Sequence, residues 1–242
     1  MPDTPGWSLR VVPNKYPAVG RSEVVVHTPH HLRSFADLDH EQLALVALAW
    51  RERAAEARAN GCGYVQALVN EGRDAGASLA HTHSQLVWLQ EEPPAPRRER
   101  QALLDRCALC ALLEQERAQG TRVVAEQDRL VLLCPYASRL PYELLVAPRE
   151  HEADGFTSER LAGALALLAD GLRRLFAAES PRPFNAWLHT APFGEDGHWH
   201  LELLPRLSLL AGLELGAGIY VNAVPPEQAA ATLREAAVVA EA

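Results

Sequence analysis

Short runs rich in β-branched and aromatic residues recur along the chain: EVVVHTP (23–29), YVQALVN (64–70), HTHSQLVWL (81–89), then YELLVAP (142–148), FNAWLHTAP (184–192) and HWHLELLPR (198–206). Runs of this length and composition predict strands, and alternation within them predicts one buried face. After the first run a helical period sets in near Asp39. Asp39 with Gln42 makes a capping-box pattern, and Leu43, Val46 and Trp50 mark an apolar face. The second half repeats this with a helix from about Ser158, striped by Leu161, Leu165, Leu168 and Leu172. A last helix is predicted from about Pro225, with proline and glutamate at its entry.

Each half therefore reads strand, helix, strand, loop, strand, and each ends on H-x-H, as HTHSQ and as HWHLE. His31 and His81 are separated in sequence by about the same distance as His151 and His198. The repetition predicts a duplicated α+β module with antiparallel sheets packed against helices. The first module is expected over 1–92 and the second over 107–242. The Pro-rich, charged QEEPPAPRRERQ falls between them, and the linker is expected over 93–106.

Composition narrows the function. The 242 residues are 48% hydrophobic, enough for a substantial core. The formal net charge is -8 and the basic residues are scattered or sit beside acids, which argues against a nucleic acid polymer or an anionic membrane as partner. No apolar stretch approaches the roughly 20 residues that span a bilayer, and the chain reads as cytoplasmic. Of the four cysteines, Cys107 and Cys110 have the C-x-x-C spacing of a metal or redox pair.

The H-x-H-x-Q run carries the chemistry. On a strand, His81, His83 and Gln85 share one face. An imidazole whose second nitrogen is held by an acceptor is a nucleophile toward phosphorus, and a glutamine amide donates to phosphate oxygens without adding charge. The preceding VNEGRDAGAS supplies Asn70, Gly72, Gly76 and Ser78 as backbone and side-chain donors.

The chain resembles the galactose-1-phosphate uridylyltransferase family of the histidine-triad superfamily, which includes ADP-glucose phosphorylase-like relatives. The likeness runs through RVVPNKYPAV (10–19), HHLRSFADL (30–38), NEGRDAGASLAHTHSQLVW (70–88), CALC (107–110), PYASRLPYELLVAPREH (135–151), HWHLELLPR (198–206) and GLELGAGIYVNAVPPEQAA (212–230), covering nearly the whole chain. The resemblance implies tandem histidine-triad-like modules and a covalent nucleotidyl intermediate on His83, with Gln85 and Ser78 on the transferring phosphoryl group. Asn14 and Asn70 would lie near the nucleotide, and Glu214, Gly216 and Gly218 would hold the hexose phosphate. The expected substrates are a nucleotide sugar and a sugar phosphate, with UDP-glucose and galactose 1-phosphate as the default pair. An ADP-sugar phosphorylase using inorganic phosphate is the alternative. A non-catalytic, zinc-stabilised nucleotide-binding protein is the reading from another class. A homodimer is expected by resemblance.

Cys107, Cys110, His151 and His198 suit a closed, structural zinc site. In bacterial relatives a further metal, which here would be iron, is bound by residues matching Glu99, His189, His198 and His200, so the two sites would compete for His198. The chain departs from the family pattern in the first module. No cysteine precedes Cys62, so His31 and His81 are expected to be a half-site, unless the natural N-terminus is longer. Thr82 also stands where relatives commonly have proline.

Overall fold

A computed structural model describes residues 6–102 and 107–240, the side chains of residue 102 and of 237–240 excepted. Residues 103–106, the end of the expected linker, lie outside the described residues. Nine strands form one antiparallel sheet: β1 (Arg10–Pro13), β2 (Arg21–Val26), β3 (Tyr64–Glu71), β4 (His83–Leu89), β5 (Val123–Gln127), β6 (Leu130–Leu133), β7 (Leu144–Pro148), β8 (Phe184–His189) and β9 (His200–Pro205). Their order is β1-β2-β4-β3-β8-β9-β7-β6-β5. Read outward from the β3–β8 junction, the two halves have the same order, with β5 added at one edge. The α+β reading holds, and the two modules share a single sheet. At the junction Leu68 pairs with Trp187, Val69 with Ala186, Asn70 with Asn185 and Glu71 with Phe184.

Helices α1 (His40–Ala59) and α4 (Leu161–Glu179) pack on one face of the sheet, with α6 (Pro226–Ala240) against α4. Asp39 caps α1 by accepting from the Gln42 backbone N–H at 2.7 Å. The reciprocal half of the capping box does not form, because the Gln42 amide donates instead to the Ser8 and His27 carbonyls. Leu43, Val46 and Trp50 are buried as the period requires, and so are Leu161, Leu165, Leu168 and Leu172. Full burial of such side chains stabilises by about 1.5–3 kcal/mol each. The Trp50 indole N–H donates to Ser84 Oγ at 2.9 Å, fixing α1 to the inner face of β4. Cys62 and Cys134 are buried in the same core.

Two further helices lie elsewhere. The Pro-rich segment read as a linker is partly helical, as α2 (Pro94–Ala102), and α3 (Ala108–Gln119) covers the other face of the sheet at Val131, Leu133, Leu145 and Ala147. No described helix is long and apolar enough to cross a membrane.

Candidate active site and metal centres

The strand that carries the H-x-H row begins two residues later than the sequence implies. β4 starts at His83, and His81 lies in the bend before it. His81 therefore does not continue the row. Its ring faces His31, centroids 5.7 Å apart, and its Nε2 bonds the Thr28 carbonyl at 2.8 Å. His83 and Gln85 remain on one face. His83 Nδ1 is 2.8 Å from the His81 carbonyl, which can only accept. In the neutral ring the proton therefore sits on Nδ1, and Nε2 keeps its lone pair. Thr82, between the two histidines, donates its N–H to the Leu32 carbonyl at 3.0 Å, and its hydroxyl meets His27 Nδ1 at 3.0 Å. His27 is fully buried, and burial with the nearby charges of His83 and His81 pushes it down to about 3. It is neutral and packs edge-on against Phe35.

Asn14, Ser78 and Gln85 line one cavity of about 230 Å³, with Tyr16 at its rim. Asn14 comes from the end of β1, and its Oδ1 accepts from the Tyr16 N–H. Ser78 is carried by the loop after β3, which requires glycine at its first turn: Gly72 has φ +82°, and a Cβ there would sit 2.7 Å from Pro183 Cβ. The β3–β4 pairing runs to Leu68 opposite Gln85, and the same register continued two residues brings Asn70 level with His83. Asn70 lines a second cavity of about 470 Å³ that runs across β3 and β8 toward the second module. Glu214, Gly216 and Gly218 line neither cavity. They lie on or beside the short helix α5 (Gly212–Ala217), in an exposed segment with Leu209, Leu215 and Ile219.

In the second module Cys107, Cys110, His151 and His198 converge, their donor atoms within 4.8 Å of one another. His198 Nδ1 is 3.3 Å from both sulfurs, and His151 Nδ1 is 3.6 Å from Cys110 Sγ. Zinc at about 2.3 Å from sulfur and about 2.0 Å from nitrogen sets tetrahedral donors about 3.5 Å apart, so the group fits that ion. The outer nitrogens are also tied, His198 Nε2 to the Pro148 carbonyl and His151 Nε2 to Asp196, each at 2.9 Å. Such bonds orient metal ligands. Burial holds His198 down to about 4, leaving Nδ1 unprotonated.

His198 gathers with the cysteine pair, and in the other cluster Glu202 stands with Glu99, His189 and His200 where His198 was expected. Glu99, His189, His200 and Glu202 gather with their donors within 4.8 Å. Glu99 reaches in from α2, 2.8 Å from His189 Nδ1 and 3.2 Å from His200 Nε2. His189 Nδ1 is buried, and its contact with Glu99 helps hold that carboxyl below its ordinary value against the cost of burial. Burial alone would raise Glu202, but its hydrogen bond to His200 and the charges of His200, His189 and Arg139 hold it at about 2. The set of two imidazoles and two carboxylates fits a divalent transition metal. Sequence reasoning missed Glu202, although HWHLE places it on the same strand face as His200, where HTHSQ places Gln85.

The family described as galactose-1-phosphate uridyl transferase, N-terminal domain, matches residues 12–94. The galactose-1-phosphate uridylyltransferase of Streptomyces lividans is 31% identical over 98% of this chain and 76% of its own length. The ADP-glucose phosphorylase of Arabidopsis thaliana is 28% identical over 96% of this chain and 75% of its own. A crystal structure of an ADP-glucose phosphorylase from the same plant, with bound ADP-glucose, superposes with a TM-score of 0.85 at 27% identity. That superposition covers 96% of this chain and 83% of that one.

Proposed function

The chain belongs to the galactose-1-phosphate uridylyltransferase family of nucleotidyltransferases, and from that premise we propose that it moves a nucleoside monophosphate from a nucleotide sugar to a sugar phosphate through His83. The observation that carries this is the bond of His83 Nδ1 to the His81 carbonyl, which leaves Nε2 as a nucleophile in the row with Gln85. Nε2 attacks the α-phosphorus, an N–P bond forms, and the bond to the sugar 1-phosphate breaks with its electron pair. The acceptor phosphate then attacks the same phosphorus, the N–P bond breaks, and the new nucleotide sugar leaves. Gln85 and Ser78, which line the same cavity, donate to the phosphoryl oxygens as charge builds. Asn14 and Asn70 contact the nucleotide.

UDP-glucose and galactose 1-phosphate are the substrates favoured by the match to the Streptomyces enzyme. The similarity to ADP-glucose phosphorylase favours a second reading, with an adenine nucleotide and inorganic phosphate. Cys107, Cys110, His151 and His198 would hold zinc, and four protein ligands make that site structural. Glu99, His189, His200 and Glu202 would hold a second divalent ion such as iron. The first module (1–92) carries the nucleophile, and 93–106 joins it to the second (107–242). The exposed apolar segment around Leu209, Leu215 and Ile219 favours a homodimer in which Glu214, Gly216 and Gly218 serve the partner's site. The free cysteines suit a cytoplasmic protein.

The test is intact-mass spectrometry after incubation with UDP-glucose or ADP-glucose, without acid. Wild type gains one nucleoside monophosphate from one of the two, which names the base, and His83→Asn gains none. Binding of both sugars without any adduct would leave only the non-catalytic reading.

A further inference from the structure

Three polar side chains cross the junction between the halves. Arg206, just after β9, donates from Nε to Asn185 Oδ1 at 2.7 Å. Asn185, on β8, donates from Nδ2 to Asn70 Oδ1 at 2.7 Å and to the Ala75 carbonyl at 2.8 Å. The direction of every bond is forced. A guanidinium only donates, so it must meet the amide oxygen of Asn185; a backbone carbonyl only accepts, so it must meet the amide nitrogen. With both Asn185 groups fixed in this way, Asn70 must turn its oxygen toward Asn185. Its own NH₂ is left facing the 470 Å³ cavity, which Asn70, Asn185 and Arg206 all line. The β3–β4 register, continued past its last pair Leu68–Gln85, brings Asn70 level with His83, and Ala75 belongs to the loop that carries Ser78.

We infer that Asn185, fixed by Arg206, is a positioning residue that turns the Asn70 amide so that it can only donate to the ligand, and at the same time pins the loop bearing Ser78. The group it selects is an acceptor with no proton to give, which in a nucleotide sugar is a phosphate oxygen or a carbonyl or ring-nitrogen acceptor of the base. The second module thus sets the polarity of the first module's site. The inference rests on the proposed nucleotidyl transfer for the ligand's identity, but it is tested by binding alone.

UDP and ADP are titrated calorimetrically into wild type, Asn185→Asp, Arg206→Lys, Arg206→Met and Asn70→Asp, with thermal unfolding followed for each. Asn185→Asp still accepts from Arg206 but cannot donate, so Asn70 must flip its oxygen toward the ligand. The nucleotide bound by wild type should bind at least ~10-fold more weakly to it, as to Asn70→Asp, with unfolding temperatures close to wild type. Arg206→Lys keeps a donor and should bind like wild type, whereas Arg206→Met should lose several-fold. In an Asn70→Ala background, Asn185→Asp should cost less than it does in wild type, because only the part carried by the Ala75 bond and the Ser78 loop is left to lose. Wild-type affinity in Asn185→Asp, or full additivity with Asn70→Ala, overturns the inference. An absence of covalent adduct in wild type would strike the proposed reaction and leave these binding outcomes readable. Should Asn185→Asp fail to fold, the Arg206→Lys and Arg206→Met pair still decides.

Discussion

The two modules hold their H-x-H rows with the same backbone device. His81 Nε2 bonds the Thr28 carbonyl at 2.8 Å, and His198 Nε2 bonds the Pro148 carbonyl at 2.9 Å. Thr82 N–H donates to Leu32 and Trp199 N–H to Glu152, at 3.0 and 2.9 Å. His83 Nδ1 meets the His81 carbonyl and His200 Nδ1 the His198 carbonyl, at 2.8 and 3.2 Å. What differs is the company of the free nitrogen. His83 stands in a row with the neutral Gln85, which lines an open cavity with Asn14 and Ser78. His200 Nε2 instead meets Glu99 and Glu202 at 3.2 and 3.3 Å, next to a space of only about 20 Å³. One tautomer lock thus stands in two settings, uncharged neighbours that suit the proposed nucleophile and anionic neighbours that suit a cation.

The comparison breaks most sharply at the nucleophile. Replacing His83 with asparagine should abolish the nucleotidyl adduct and slow turnover by ~10⁴-fold or more. His200→Asn should leave the adduct in place and lose bound metal, read by elemental analysis. Loss of the adduct in His200→Asn alone would move the nucleophile to the second module.

The metal ends of the rows come next. His31 and His81 face each other at 5.7 Å, and among the described residues no further ligand joins them. Their counterparts His151 and His198, 5.3 Å apart, are joined by two cysteines. Cys107→Ala with Cys110→Ala, or a zinc chelator, should lower the unfolding temperature by about 10 °C or more, since structural zinc contributes folding energy directly. The exposed His31 should tolerate alanine with a change of about 2 °C at most. Equal losses in scanning calorimetry would mean that the two ends are tied alike.

A finer comparison lies at the third position of the row. Gln85→Glu would give the first module the carboxylate of the second and place it against phosphate oxygens. Losing a donor to a charged group costs about 1.5–3 kcal/mol, so kcat/KM should fall ~10–100-fold, before any repulsion is added. Unchanged steady-state kinetics would remove Gln85 from the phosphoryl site.

Much of this was legible in the sequence because it is local. The alternation in HTHSQLVWL and the C-x-x-C spacing say which side chains share a face or a turn, and the repeated order of elements gives the duplication. The continuous sheet was not legible, since alternation says which face of a strand is buried but not which edges pair, and β3 meets β8 only through folding. Asn185 and Arg206 were missed for the same reason, because their bonds run across that junction. The β5–β6 hairpin did carry a signal, VVAEQ and LVLL around Asp128 and Arg129, both with positive φ. His81 was placed in the strand because sequence alternation does not reveal where pairing begins.

The smallest expected effect probes a matched pair of bonds at the ends of β3 and β8. In the first module the Phe35 N–H donates to the Glu71 carboxylate at 2.7 Å; in the second the Gly155 N–H donates to the Thr190 hydroxyl at 2.9 Å. The same backbone anchor is thus held by an ionisable group in one half and a neutral one in the other. Burial, opposed by the bonds from Ser34 and Phe35 and helped by the charge of Asp37, raises Glu71 to about 7. Between about 4.5 and 7 the folded chain keeps a proton that the unfolded chain releases, so this group's contribution to stability falls as pH rises through that window. Glu71→Gln keeps an acceptor for Phe35 and cannot ionise. Its unfolding temperature should match wild type at pH 5 and exceed it by a few degrees at pH 8. Thr190→Val, with no charge to lose, should cost about 1 kcal/mol at both. Parallel pH profiles for wild type and Glu71→Gln would mean that the Glu71 carboxylate reaches water in the folded chain, and that the two anchors are equivalent after all.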